Sequence, residues 1–154
     1  MRLMDQGTQK RCMLYSLAMC LDVDVEYLAK QIGYNGDEPF FRTQNDEQRS
    51  HHPQECIDAA LDHGYAVVNV EPNPHQGNNS DEIEPIWNQT ICQLRFRTYL
   101  RKYNGMVHMC LDSGELHMCA WCKDDQMVYD PNGRKYTIDA VNHLIGFYAL
   151  ISIK

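Results

Sequence analysis

The sequence predicts an α+β fold with N-terminal helices packed on a C-terminal antiparallel β-sheet, and three observations carry that expectation. Between Cys12 and Ile32 the apolar residues recur at helical spacing. From Met106 onward the period drops to two, broken by turns at Asp112-Ser113-Gly114, Asp124-Asp125 and Pro131-Asn132-Gly133. The 154 residues contain no internal repeat or low-complexity tract. One domain spanning 1–154 is therefore expected, large enough to bury a core without disulfides.

The first helix starts at Cys12, where the polar loop Asp5-Gln6-Gly7-Thr8-Gln9-Lys10-Arg11 ends, and Met13, Leu14, Leu17, Ala18 and Leu21 form its apolar face. Asp22-Val23-Asp24 is a break, and Val25 to Ile32 is a second helix stopped by Gly33. Residues 34–50 are polar and hold Gly36 and Pro39, so they read as a loop. That loop bears Phe40-Phe41, either an anchor folded back on the core or part of a substrate groove. Pro53 suits the first position of a helix over 53–63, with 50–52 as caps, Gly64 as stop, and Cys56, Ile57, Ala60 and Leu61 facing inward.

Tyr65 to Val70 is rich in valine and reads as a strand, closed by Pro72 and Pro74. The segment 71–88 is the longest irregular stretch, of the kind that serves as a lid or simply moves. Gln89 to Tyr103 reads as a helix with Ile91, Leu94, Tyr99 and Leu100 inward, and its Arg95, Arg97, Arg101 and Lys102 as a solvated face. The meander then runs through strands 106–111, 116–123, 127–129 and 136–138, with a turn or short helix over 139–144 and a last strand over 146–153.

Charge narrows the partners. Fourteen basic against 21 acidic residues give a net charge of -7, which repels a phosphate backbone, so no nucleic acid partner is expected. No apolar run reaches the roughly 20 residues of a membrane span, and the N-terminus lacks a signal-peptide layout, so no membrane association is expected. Seven cysteines without framework spacing, beside eight methionines, fit a reducing, cytoplasmic setting with free thiols.

The chemistry-bearing residues lie at the two ends of the chain. A cysteine in the first turn of a helix has its thiolate stabilised by unpaired backbone N–H groups, which makes Cys12 a candidate nucleophile. Such a nucleophile needs an imidazole to share its proton and an acceptor to orient that imidazole. His117 opens an apolar strand, and Asp130 closes the next one. His63, His75, His108 and His143 are rivals by pattern, with His108-Met109-Cys110 echoing His117-Met118-Cys119. Only His117 is followed by an aspartate at the end of the next strand.

Gln6, six residues before Cys12, followed at long range by His117 and then Asp130 in Tyr129-Asp130-Pro131-Asn132-Gly133, resembles the papain-like cysteine peptidases. Among these, it looks most like the small double-glycine leader peptidase domains of bacteriocin exporters. The resemblance spans most of the chain and rests on four residues; after the cysteine stands Met13, where leader peptidases usually carry a small residue. It implies a papain-like fold and a cysteine peptidase acting on a peptide or protein through a thioester at Cys12. His117 would be the base, Asp130 its orienting group with Asn132 as the alternative, and the Gln6 amide with the Cys12 N–H the oxyanion hole. No cofactor is implied. The same thioester supports acyl transfer or deamidation, and a catalytically silent binding module on the same fold is the reading from another class. His108, Cys110, His117, Cys119 and Cys122 also look like a zinc ligand set. Against it, a continuous strand turns Cys119 and Cys122 to opposite faces, so no metal is expected.

Overall fold

The computed structural model describes residues 1–34, 36, 51–72, 89–141 and 143–154, and the side chains of 89–93 lie outside that description. Phe40-Phe41, His75, Ile91 and nearly all of the 71–88 segment therefore fall outside the described residues. The elements are α1 (Cys12–Leu21), α2 (Val25–Ile32), α3 (Pro53–Asp62), β1 (Tyr65–Val70), α4 (Gln89–Lys102), β2 (Gly105–Cys110), β3 (Leu116–Cys122), β4 (Met127–Asp130), β5 (Arg134–Tyr136), a 3₁₀ turn at Ile138–Ala140, and β6 (Leu144–Ser152). The six strands form one sheet in the order β1-β6-β2-β3-β4-β5, with every neighbouring pair antiparallel. The molecule is α+β, as the periodicities predict. Among the described residues no helix is long and apolar enough to cross a membrane.

Local chemistry sets the helix ends. Asp22 adopts φ 58° at the end of α1, and its N–H returns to the carbonyls of Ala18 and Met19. Asp24 caps α2 by accepting from the N–H groups of Glu26 and Tyr27, and Gly33 closes that helix at φ 80°. Before α3 the cap is His52: its Nδ1 accepts from the Gln54 N–H, while Glu55 Oε2 accepts from the His52 N–H.

The sheet separates two apolar layers by strand parity. Met106, Met118 and Leu150 pack with Leu14, Leu17 and Ala18 of α1, Leu28 of α2 and Cys56 of α3. Val107, Met109, Cys119, Trp121 and Phe147 pack instead with Phe96 and Leu100 of α4. So α1–α3 cover one face and α4 the other, and complete burial of Leu14 and Leu17 contributes about 2 kcal/mol each. Two hydrogen bonds one helical turn apart fix α1 against the sheet: Ser16 Oγ donates to Met118 O at 3.0 Å and Cys20 Sγ to Gly105 O at 2.9 Å. Gly105 sits where β6 comes closest, since a Cβ there would lie 2.3 Å from Tyr148 O and 2.5 Å from the Phe147 ring.

Three expectations are corrected. Leu61, placed inward on α3, is 53% exposed, and Ala59 takes its buried position. Leu94, placed inward on α4, is 60% exposed, with Phe96 and Leu100 forming the inner face. Both helices cross the sheet on a narrower stripe than their apolar content suggests. The strand expected at 136–138 instead spans Arg134–Tyr136, because the Asp130–Gly133 turn is tight and pairing begins directly at Asp130↔Arg134. The basic residues of α4, Arg95, Arg97, Arg101 and Lys102, are exposed, as a solvated face requires.

Candidate active site

α1 begins at Cys12 itself. Arg11, its N-cap, offers no side-chain cap, and the first turn holds no acidic residue to offset the positive helix end. Arg11 is tied down elsewhere: its guanidinium pairs with Glu26 and Gln9, and its backbone N–H donates to Gln6 Oε1 at 3.0 Å. The helix therefore presents Cys12, half-buried, with the backbone donors of its first turn uncapped by any side chain.

His117 arrives from β3. β4 pairs with β3 only from Ala120 onward, so the first residues of β3 have no β4 partner on that flank. There the His117 ring meets the end of β4: Nε2 lies 3.1 Å from Asp130 Oδ1. A carboxylate only accepts, so Nε2 carries the proton and Nδ1 is left for a second partner. Two thiols favour the charged ring, that of Cys119 on β3 first and that of Cys12 on α1 after it. Cys12 and His117 both line one cleft of about 240 Å³, together with Met13, Pro53, His108 and Leu116.

His117 and Asp130 are each 7% exposed. Burial opposes a charged ring, yet the Asp130 carboxylate and the thiols of Cys119 and Cys12 outweigh it and raise the His117 pKa well above the ordinary imidazole range. Burial likewise opposes the Asp130 carboxylate, but His117, the Asn132 N–H and the Tyr136 hydroxyl pull it down to about 2. Both shifts favour the charged pair, imidazolium with carboxylate.

Gln6 is buried and is not among the residues that line the cleft. Its backbone N–H donates to Pro131 O at 2.7 Å, Oε1 accepts from Arg11, and Nε2 donates to Asn132 Oδ1 at 3.3 Å. Because Arg11 N–H is a donor, the amide oxygen must face it, which fixes the Nε2 end beside Asn132. Asn132, the alternative orienting residue, does not bond the ring; it donates its backbone N–H to Asp130 Oδ1 at 2.9 Å.

The rival histidines are placed otherwise. His108 lines the cleft, packs against Tyr148, and has its pKa lowered by burial. His63 bonds Gln31 on the surface, and His143 lies 3.8 Å from Asp112 with 60% of its side chain exposed. Cys119 and Cys122 fall in different core layers, as strand parity dictates. A ring nitrogen, sulfur and carboxylate oxygen of His117, Cys119 and Asp130 do lie within 4.8 Å of one another. Zinc accepts such donors; Asp130 also accepts from His117, the Asn132 N–H and the Tyr136 hydroxyl.

Two participants escape the sequence pattern. His51 lines the cleft, with Nε2 2.9 Å from Tyr34 O. Tyr136 reaches Asp130 Oδ2 at 2.8 Å. The signal for Tyr136 was available: a tight hairpin pairing Asp130 with Arg134 and Val128 with Tyr136 puts all four on one face.

The fold and site thus define an α+β domain in which a thiol at a helix N-terminus shares a cleft with an imidazole bonded to a carboxylate. No protein-family model, curated protein or solved structure matches this chain.

Proposed function

We propose that this protein is a papain-like cysteine peptidase that cleaves a peptide or amide bond through a thioester at Cys12. The observation that carries the reading is that the Cys12 thiol and the His117 ring line one cleft, with the ring's Nε2 3.1 Å from Asp130 Oδ1. In this reaction the Cys12 sulfur attacks the carbonyl carbon as thiolate, its proton held by the His117 ring. His117, through Nδ1, then protonates the leaving amine, and the neutral ring takes a proton from the water that hydrolyses the thioester. Asp130 holds the ring in the tautomer this exchange needs. The uncapped Cys12 N–H is one oxyanion donor in this reading; the resemblance, which rests on Gln6, Cys12, His117 and Asp130, implies the Gln6 amide as the second, and for that its Nε2 has to exchange Asn132 Oδ1 for the oxyanion.

Electrophile labelling tests the reading. Cys20 and Cys56 are pushed up to about 12, chiefly by burial, and Cys119 is raised for the same leading reason. Iodoacetamide near neutral pH is therefore expected to modify Cys12 ahead of these three thiols, at a rate that drops in His117→Ala. Slow, even modification of several cysteines would instead mark a binding module without catalysis.

Gln6→Ala separates the oxyanion donor from the nucleophile. Loss of one such donor costs about 3 kcal/mol of transition-state stabilisation, so peptide turnover should fall roughly a hundredfold while Cys12 remains alkylatable. Turnover equal to that of the unmodified protein would remove Gln6 from the site.

A further inference from the structure

The mechanism above makes no use of Tyr136, yet its hydroxyl closes the network behind the catalytic ring. Asp130 Oδ1 accepts from His117 Nε2 and from the Asn132 N–H, at 3.1 and 2.9 Å. Oδ2 accepts from the Tyr136 hydroxyl at 2.8 Å. A carboxylate held through one oxygen alone rotates readily about its terminal torsion, which is broad; a donor on the other oxygen stops it.

The direction of each proton follows. Tyr136 has one hydroxyl proton and three neighbours: Asp130 Oδ2 at 2.8 Å, Cys119 Sγ at 3.5 Å and Met109 Sδ at 3.9 Å. The charged oxygen is the strongest acceptor, so Tyr136 donates to Asp130 and the Cys119 thiol donates to Tyr136. Burial, together with the acidic neighbours, raises the Tyr136 pKa, which keeps the hydroxyl a donor across the neutral range.

We propose that Tyr136 is a positioning residue: its hydroxyl locks the Asp130 carboxylate with one oxygen facing the His117 ring, and the Cys119 thiol in turn orients the hydroxyl. The effect on rate rests on the catalytic reading of Cys12 and His117, whereas the placement of Asp130 is testable without it. The ionisable groups facing this carboxylate are His117 and Cys119 from β3 and Tyr136 from β5, and Cys12 of α1 shares the cleft with the ring.

The experiment follows the His117 ring of the full chain by ¹⁵N-histidine NMR across acid pH, alongside iodoacetamide alkylation of Cys12. Removing a donor from a carboxylate makes it easier to protonate, so Tyr136→Phe is expected to move the acid transition of the His117 signals up by about one pH unit, a tenfold change in that equilibrium. Cys12 alkylation at neutral pH should slow three- to tenfold. Cys119→Ser, which keeps a donor toward Tyr136, should leave the transition in place. Fluorotyrosine at position 136 keeps the ring, strengthens the donor and should move the transition down, which decides the matter if Tyr136→Phe fails to fold. An acid transition unmoved by both changes at position 136 overturns the proposal. A moved transition with alkylation that is slow and indifferent to His117→Ala upholds the positioning and overturns the catalytic reading alone.

Discussion

Cys12→Ala is expected to abolish peptide hydrolysis, and His117→Ala to lower it by about a thousandfold or more. In a thiol hydrolase the sulfur forms the covalent bond, so no neighbour replaces it, whereas loss of the imidazole leaves a thiol that ionises unaided and a leaving amine without its acid. The structure adds a reason specific to this chain. His117 is the one described histidine that joins the Cys12 cleft to a carboxylate, since His108, which shares the cleft, packs on Tyr148. Hydrolysis of a peptide library by each purified variant checks this. Retained turnover in Cys12→Ala, or a larger loss in His108→Ala than in His117→Ala, would reassign the site.

Asp130→Asn should lower turnover about a hundred- to ten-thousandfold and also weaken the fold in a pH-dependent way. The amide resembles the carboxylate in shape, but it lacks the charge that stabilises the imidazolium and can turn a donor toward Nε2, forcing the wrong tautomer. For stability the sign follows from the two shifts. Asp130 is depressed to about 2 in the fold, against about 4 in an unfolded chain, so its contribution is complete above about pH 4 and is lost as pH falls through about 2. His117 is raised, so its contribution is complete below about pH 6.5 and fades as pH climbs above that value. The pair therefore stabilises most between about pH 4 and 6.5. Breaking it by removing one buried partner costs about 3 kcal/mol in that window. Urea unfolding of the parent and Asp130→Asn proteins from pH 2 to 8 measures the difference. A gap that stays constant, or widens toward pH 2, would show that the pair is not the ion pair described.

Local order was legible because local rules produce it. α1 and α2 begin and end where the sequence places them, since a 3.6-residue period, the Asp24 cap, the Asp22 turn and Gly33 act within a few residues. The hairpins from β2 to β5 follow from alternation and turn chemistry, and only the last shifts, by two residues at its start. Burial on single-sided helices was less legible. Leu61 and Leu94 are exposed because which apolar residue faces the sheet depends on the helix crossing, and periodicity carries no information about that.

By itself the sequence determined a thiol at a helix start, a histidine and an aspartate two strand-lengths apart, and the elements that carry them. Tertiary structure decided which histidines share the cleft with the thiol and that His117 among them is bonded to a carboxylate, that Gln6 anchors against Arg11 and Asn132, and that Tyr136 donates to Asp130. The physical reason is one of range: helix caps and hairpin registers are set by neighbours a few residues away, whereas Cys12 and His117 come to one cleft through long-range packing such as the bond from Ser16 of α1 to Met118 of β3.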